Sequence, residues 1–253
     1  MIPLARFTPF LLIAALVLVL ITQPSAEPNV YEVFRTAEIR VGVDASYPPF
    51  AVATADDLYG LEIDLARAIG ARLGLPVRFV NLGFDGLFDA LTTDQVDVLI
   101  SALPIDLARS GAVHYTQPYF NAGLVLVSTG AYTSLRDLPG HRLAYEYGST
   151  AESEVRLWLR RVQPFDLLPL ETPAEALEAV RSGAAEAALV DAITARLYLR
   201  VHADWGAASS PVTDTLYALV TRGDRPEVAA QIDGALAELF ADGTVAALID
   251  RWL

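Results

Sequence analysis

Arg109 closes the stretch "DVLISALPIDLAR", in which a run of branched apolar residues stops at the turn Ser101, Ala102, Leu103, Pro104 and a short polar segment follows. A guanidinium placed beyond such a turn can fork two hydrogen bonds onto a carboxylate. Farther along, "EYGSTAE" sets Glu146, Gly148, Ser149 and Thr150 in a glycine-loosened turn that opens a helix. Its backbone N–H groups and hydroxyls can cradle an anion. Asp191, where the strand "AEAALV" ends, offers a counter-charge for an ammonium, and Tyr47 and Phe84 offer two aromatic faces. Asp44 adds a carboxylate close to Tyr47. A holder for a carboxylate, a holder for an ammonium and two rings describe a receptor for a zwitterionic amino acid. Each residue also has a commonplace role: a surface ion pair for Arg109, turn or helix caps for Asp44, Asp191 and "GST", core for Tyr47 and Phe84. Their joint placement at corresponding strand ends favours the functional reading.

In open α/β sheets, ligands bind outside the carboxyl ends of the strands. The elements needed to present these residues there can be read along the chain. "IRVGV" is a β-rich run that ends at Asp44, and "GLEIDLARAIGARLG" carries Leu61, Leu65, Ala68, Ile69 and Leu73 at helical spacing, with Gly74 as its stop. "PVRFVNL" and "VDVLISA" follow as strands around the short helix "FDGLFDALTT". The alternation restarts with "GLVLVST", the strand Arg142 to Glu146 and a helix around 151–161. It continues through the strand "FDLLPL", the helix "TPAEALEAVRSG", the strand "AEAALV" and the helix "AITARLYLRVH". Thr172 is the expected cap of the "TPAEALEAVRSG" helix, with Pro173 at its first position, Glu175 at its third and Gly183 past its end. "TLYALVTRGD" returns as a strand, and two helical pieces close the chain.

Strands alternating with helices predict an α/β protein of two lobes, each a mostly parallel sheet flanked by helices. The two units are not a sequence repeat. The last helices have no lobe of their own to complete and are placed back on the first. Two connections then cross between lobes, near Asn121–Gly123 and Thr215–Tyr217, and form a two-strand hinge over a ligand cleft. The expected organisation is a signal peptide over 1–26, a linker over 27–37, a first lobe from 38–122 and 218–253, and a second lobe from 123–217.

The 253 residues include 18 cationic side chains, all arginine, against 31 acidic ones, for a net charge of −13. Such a surface disfavours nucleic acid and anionic membranes as partners. Without cysteine there is no disulfide, thiolate metal site or cysteine-linked lipid anchor, and His114, His141 and His202 lack helical ligand spacing. No cofactor and no metal are expected. "MIPLARFTPFLLIAALVLVLITQPSA" has Arg6, an apolar run from Phe10 to Ile21, and small residues that suit cleavage after Ala26. That pattern is an export signal rather than a full membrane span; an uncleaved anchor is the alternative, and either way the remainder faces an extracytoplasmic, periplasmic space.

The motifs "VGVDASYPPF", "GLEIDLARAIGARLG", "FDGLFDALTTDQVDVLISALPIDLAR", "YTQPYF", "LPGHRLAYEYGST", "AEAALVDA" and "LFADGTVAALIDRWL" occur in that order from about Ile39 to the C-terminus. As an ordered series the chain resembles the family of extracytoplasmic solute-binding proteins that feed polar amino acids to ABC transporters. The resemblance implies a type II periplasmic-binding-protein fold. It implies an amino acid as ligand, permease subunits of an ABC transporter as partners, and a monomer. Carried over residue by residue, Arg109 would hold the ligand α-carboxylate with the turn at Ser149 and Thr150. Asp191 would hold the α-ammonium with the carbonyl of Ala102, beside Ser101. Tyr47 and Phe84 would sandwich the side chain, and Asp44 and Glu146 would face its tip.

Pro104 departs from the family pattern, which commonly has Ser or Thr there, and proline supplies neither N–H nor hydroxyl. A lost donor to a charged group costs about 1.5–3 kcal/mol. Ala102 likewise replaces a frequent hydroxyl residue or glycine. Two carboxylates at the far end suit a cationic or strongly donating side chain: arginine, then lysine, histidine or glutamine. Two other functions compete with transport. A few relatives of this architecture are dehydratases acting on prephenate or arogenate, for which Glu146 would be the general acid. A sensor module is the third reading; its output domain would have to come from a partner chain.

Overall fold

The computed structural model describes residues 33–253 except Arg35 and Ala131. The expected signal peptide and most of the expected linker lie outside the described residues. The strands are β1 (Ile39–Val43), β2 (Ser46–Tyr47), β3 (Ala51–Ala53), β4 (Leu58–Tyr59), β5 (Val77–Asn81), β6 (Val98–Leu99), β7 (Val113–Tyr115), β8 (Phe120–Asn121), β9 (Leu124–Ser128), β10 (Arg142–Glu146), β11 (Asp166–Leu170), β12 (Ala187–Asp191), β13 (Ala208–Pro211), β14 (Leu216–Tyr217) and β15 (Val220–Arg222). The α-helices are α1 (Leu61–Leu73), α2 (Leu87–Thr92), α3 (Thr150–Trp158), α4 (Pro173–Arg181), α5 (Ala192–Val201), α6 (Pro226–Ala241) and α7 (Thr244–Trp252).

Two mixed five-stranded sheets, flanked by helices, carry the two lobes. The first has the order β5-β1-β6-β15-β7 and the second β11-β10-β12-β9-β13. In the first, β1 runs parallel to β5 and β6, and β15 returns antiparallel between β6 and β7. In the second, β10 runs parallel to β11 and β12, while β9 and β13 are antiparallel. The parallel strands therefore end on the same side of each sheet. β1 is an interior strand between β5 and β6: Val41 and Val43 are buried on one face, and Gly42, facing the other way, leaves room for Leu99, whose Cδ2 would lie 2.7 Å from an added Cβ. Below it, the Arg40 guanidinium grips the buried Asp97 carboxylate with bonds of 2.8 and 3.0 Å, tying β1 to the start of β6 at the end away from the cleft.

α1 buries Leu61, Leu65, Ala66 and Ile69 and stops at Gly74, whose φ of 69° suits a residue without a Cβ. Against this face pack Val228, Ile232, Leu236 and Leu239 of α6 and Val245 of α7, in the core of the first sheet. Val33 and Phe34, at the end of the stretch read as linker, are buried in that same core, and Arg225 donates to the Val33 carbonyl at 2.7 Å. In the second lobe α4 begins as its residues dictate: the Thr172 hydroxyl accepts the Glu175 amide at 3.2 Å, Pro173 follows, and Gly183 lies just past the end.

β8 and β14 pair antiparallel, Asn121 opposite Leu216 and Phe120 opposite Tyr217, and the chain passes between the sheets on either side of them. The Asn121 side chain fixes this crossing. Its carbonyl accepts the amides of Gly123 and Thr215, both at 3.0 Å, and its amide donates to Asp214 at 2.7 Å. Gly123 is required there, since an added Cβ would lie 1.9 Å from the Thr213 carbonyl oxygen. Behind the crossing α5 leans on α7, with Arg200 donating to the Arg251 carbonyl at 3.2 Å and Ile193 and Leu197 packed on the first core.

Candidate functional site

A cavity of about 300 Å³ opens at the carboxyl end of the first sheet, lined by Asp44, Ser46, Tyr47, Phe84, Ser101, Ala102 and Tyr217. Asp44, directly after β1, accepts Ser46 N–H at 3.1 Å and the Ser46 hydroxyl at 2.7 Å on one oxygen, and Phe84 N–H at 3.1 Å on the other. It thereby fixes both aromatic rims. A carboxylate offers about four acceptor sites, so one remains for a ligand donor. Ser101, buried at the end of β6, accepts the Asp44 amide at 3.0 Å. Tyr47 and Phe84 are 45% and 51% exposed, so part of each ring is open at the cavity. Tyr47 stacks on Phe50 at 5.5 Å, and Phe50 meets Phe120 and Tyr217 edge-on, so a rigid aromatic block backs the first rim.

Arg109 and Pro104 line an adjoining cavity of about 380 Å³ with Phe84, Phe88, Leu103, Asp106 and Tyr115. Phe84 is the wall between the two. The Arg109 guanidinium lies over the Phe88 ring, 4.4 Å from its centroid, with Asp106 at 3.4 Å. It is half-exposed, so it is held in place while still open to a carboxylate. Pro104 stands opposite Tyr217 in an antiparallel bridge whose hydrogen bonds come from its neighbours, Ile105 N–H to Leu216 at 2.9 Å and Ala218 N–H to the Leu103 carbonyl at 3.1 Å. The missing proline N–H is therefore not needed for this pairing.

The second-sheet residues line neither cavity. Asp191 ends β12 and caps α5, accepting the Thr194 amide at 2.8 Å. Ser149 caps α3, accepting the Ala151 and Glu152 amides at 3.1 and 3.4 Å and donating to the Glu146 carbonyl at 2.7 Å. Gly148 N–H, in the expected anion cradle, is taken by Glu152 at 2.7 Å. That bond, and then Arg156, hold the Glu152 carboxyl below its ordinary pKa. Thr150 is exposed at the first position of α3, and the Glu146 side chain is half-buried at the end of β10 without a hydrogen-bond partner among the described residues. Asp191 is linked to the first cavity only through its charge, which acts on Tyr217 in the cavity wall. The Tyr217 hydroxyl is pushed above its ordinary pKa by burial first, then by Tyr47, Glu62 and Asp191.

Three residues at this site were not among those singled out in the sequence. Ser46 and Tyr217 line the cavity, and Glu62 lies behind Ala102. Glu62 had a sequence signal: with Leu65, Ala66 and Ile69 it falls on the buried stripe of α1, where a carboxylate does not belong unless it is partnered.

The chain from residue 39 to 253 matches the family model of bacterial extracellular solute-binding proteins, family 3. Among curated proteins it is similar to the ABC transporter arginine-binding protein 1 of Escherichia coli K12, 28% identical over 85% of this chain and 90% of that one. It is also similar to the L-cystine-binding protein TcyJ of the same strain, 26% identical over 84% and 81%. Among solved structures, an ancestral cationic amino acid solute-binding protein superposes with a TM-score of 0.64 at 28% identity, over 88% of this chain and 98% of that one. With its two sheets, its crossing strands and a match over nearly the whole described chain, the protein belongs to the bacterial extracellular solute-binding proteins of family 3.

Proposed function

We propose that this chain captures a polar amino acid, with arginine the first expectation, between two hinged lobes and delivers it to the permease of an ABC transporter. The first lobe comprises 38–122 and 218–253, the second 123–217, and β8 and β14 are the hinge. The observation that carries the reading is the cavity at the end of β1, where two exposed rings flank a carboxylate that keeps an acceptor site free. A guanidinium fits between such rings through its planar faces and donates to the carboxylate at their base. Arg109, on the far side of Phe84, receives the α-carboxylate, and Asp191 meets the α-ammonium when the second lobe closes. Ser149 and Thr150 close over the carboxylate with the amides that the caps leave free, and Glu146 faces the side-chain tip. The ligand drives closure because only the closed form contacts it from both walls.

The arginine and cystine named for the relatives above belong to the same class of zwitterionic ligand, which supports the reading. The chain acts as a monomer, is exported by residues 1–26, and binds without chemistry. A thermal-shift screen of the purified protein against amino acids tests this, since a ligand that binds the folded state raises Tm by mass action. Arginine, lysine, histidine or glutamine should raise it. A response to acidic or apolar amino acids alone would contradict the ligand class, and consumption of prephenate on incubation would contradict the absence of catalysis.

A further inference from the structure

Among the described residues, Glu62 is the most deeply buried carboxylate, and the binding scheme does not use it. Glu62, in the first turn of α1, is 1% exposed. One oxygen of its carboxylate accepts both the Ala102 amide N–H and the Tyr119 hydroxyl. Ala102 forms part of the cavity wall and has φ of 45°, in the left-handed region that a residue with a Cβ avoids. A turn in that conformation needs an external hold. The amide is drawn down to Glu62, while the Ala102 carbonyl meets no donor among the described residues.

We propose that Glu62 is a positioning residue of the binding site: from beneath the cavity its carboxylate holds the Ala102 amide and so presents the Ala102 carbonyl, backed by a negative charge, to the cationic group of the ligand. This rests on reading the cavity as an amino-acid site. The groups that face Glu62 make its charge responsive. Tyr119 comes from the segment before β8, Tyr217 from β14 and the Ala102 amide from the turn after β6. Asp64, on the same helix, is turned to Arg251 and Trp252. Among the described residues, no guanidinium or imidazole contributes. Burial pushes the Glu62 carboxyl up to about 7, opposed by the Tyr119 hydroxyl and the Ala102 amide. Near neutral pH the group is therefore part-protonated, and a cation in the cavity favours the ionised form. Ligand binding then releases protons, and affinity rises as pH rises through 7.

The sign for stability is opposite. The folded-state pKa lies above the ordinary value, so the contribution of Glu62 to folding is full at low pH and is lost as pH rises through about 7. Glu62→Gln keeps an oxygen for both hydrogen bonds and removes the charge. The ligand-free variant should gain Tm relative to the unaltered protein, and gain more at pH 8 than at pH 5.

Calorimetric titration of the protein with L-arginine, in buffers of different ionisation enthalpy, decides the matter. The unaltered protein should release protons near pH 7 and bind roughly threefold or more tightly at pH 8 than at pH 6. Glu62→Gln should fold, release none and show a flat profile, and Glu62→Ala should lose about tenfold in affinity at pH 8 because Ala102 is freed. Binding of L-arginine by the unaltered protein with no proton release and no pH dependence overturns the role of Glu62 and leaves the ligand reading standing; that result needs no variant. A pH profile that persists unchanged in Glu62→Gln overturns it as well. Absence of binding to any amino acid overturns the ligand reading and this inference with it.

Discussion

At the end of β1, Asp44 accepts the amides of Ser46 and Phe84 and so sets the rim of a cavity; at the end of β12, Asp191 accepts the amide of Thr194 and caps α5. The same contrast runs through both walls. The first-sheet residues hold one another around an open space, with Ser101 on the Asp44 amide, Tyr47 on Phe50 and Arg109 over Phe88. The second-sheet residues stabilise their own helix starts, with Ser149 on the Ala151 amide and Glu152 on Gly148. The difference teaches a division of labour. On the proposed function, one wall is preorganised to select the ligand, and that organisation would lower the ordering cost of binding. The other is a set of capped helix ends, which on that same proposal would add their remaining polar groups only on closure.

Substitutions should therefore separate affinity from stability according to the wall they fall on. The largest effect is expected for Arg109→Ala. Loss of a charged hydrogen-bonding partner of the ligand carboxylate should weaken binding by about 100-fold in calorimetric titration. The side chain is half-exposed and its ion pair with Asp106 lies at the surface, so Tm of the free protein should change little. Phe84→Ala comes next. It removes one face of the ring pair and the partition between the two cavities, and should cost about tenfold in affinity for a cationic side chain. Ser149→Ala sharpens the comparison from the other side. Loss of the cap should reduce unfolding free energy by about 1 kcal/mol in denaturant titration, with affinity changed by less than about threefold. If Ser149→Ala weakened binding as much as Phe84→Ala, the two walls would be equivalent and the contrast would fail.

Much of this was written in local chemistry. "IRVGV" and "AEAALV" are β-rich runs that end at a carboxylate, and each forms a strand with that carboxylate at its end. Thr172, Pro173 and Gly183 delimit α4 because the cap, the fixed φ and the positive φ each act within one turn. What depends on distant pairing was not legible. β13, "ASSP", has no apolar alternation, and it is a strand only because its residues pair with β9 along one edge. Tyr217 could be placed near a crossing, but its position in the cavity wall follows from pairing with Phe120 and the bridge to Pro104, both remote in sequence. Asp191 and Ser149 illustrate the opposite ambiguity. Their residue types fit both a cap and a ligand contact, and the structure shows the cap in use.

The most direct test of the account is a crystal structure of the protein with L-arginine bound. The account predicts a closed cleft in which the Arg109 guanidinium lies on the ligand α-carboxylate, Asp191 on its α-ammonium, and the side chain between the rings of Tyr47 and Phe84. A ligand seated elsewhere, with Arg109 and Asp191 both turned to bulk water, would contradict it.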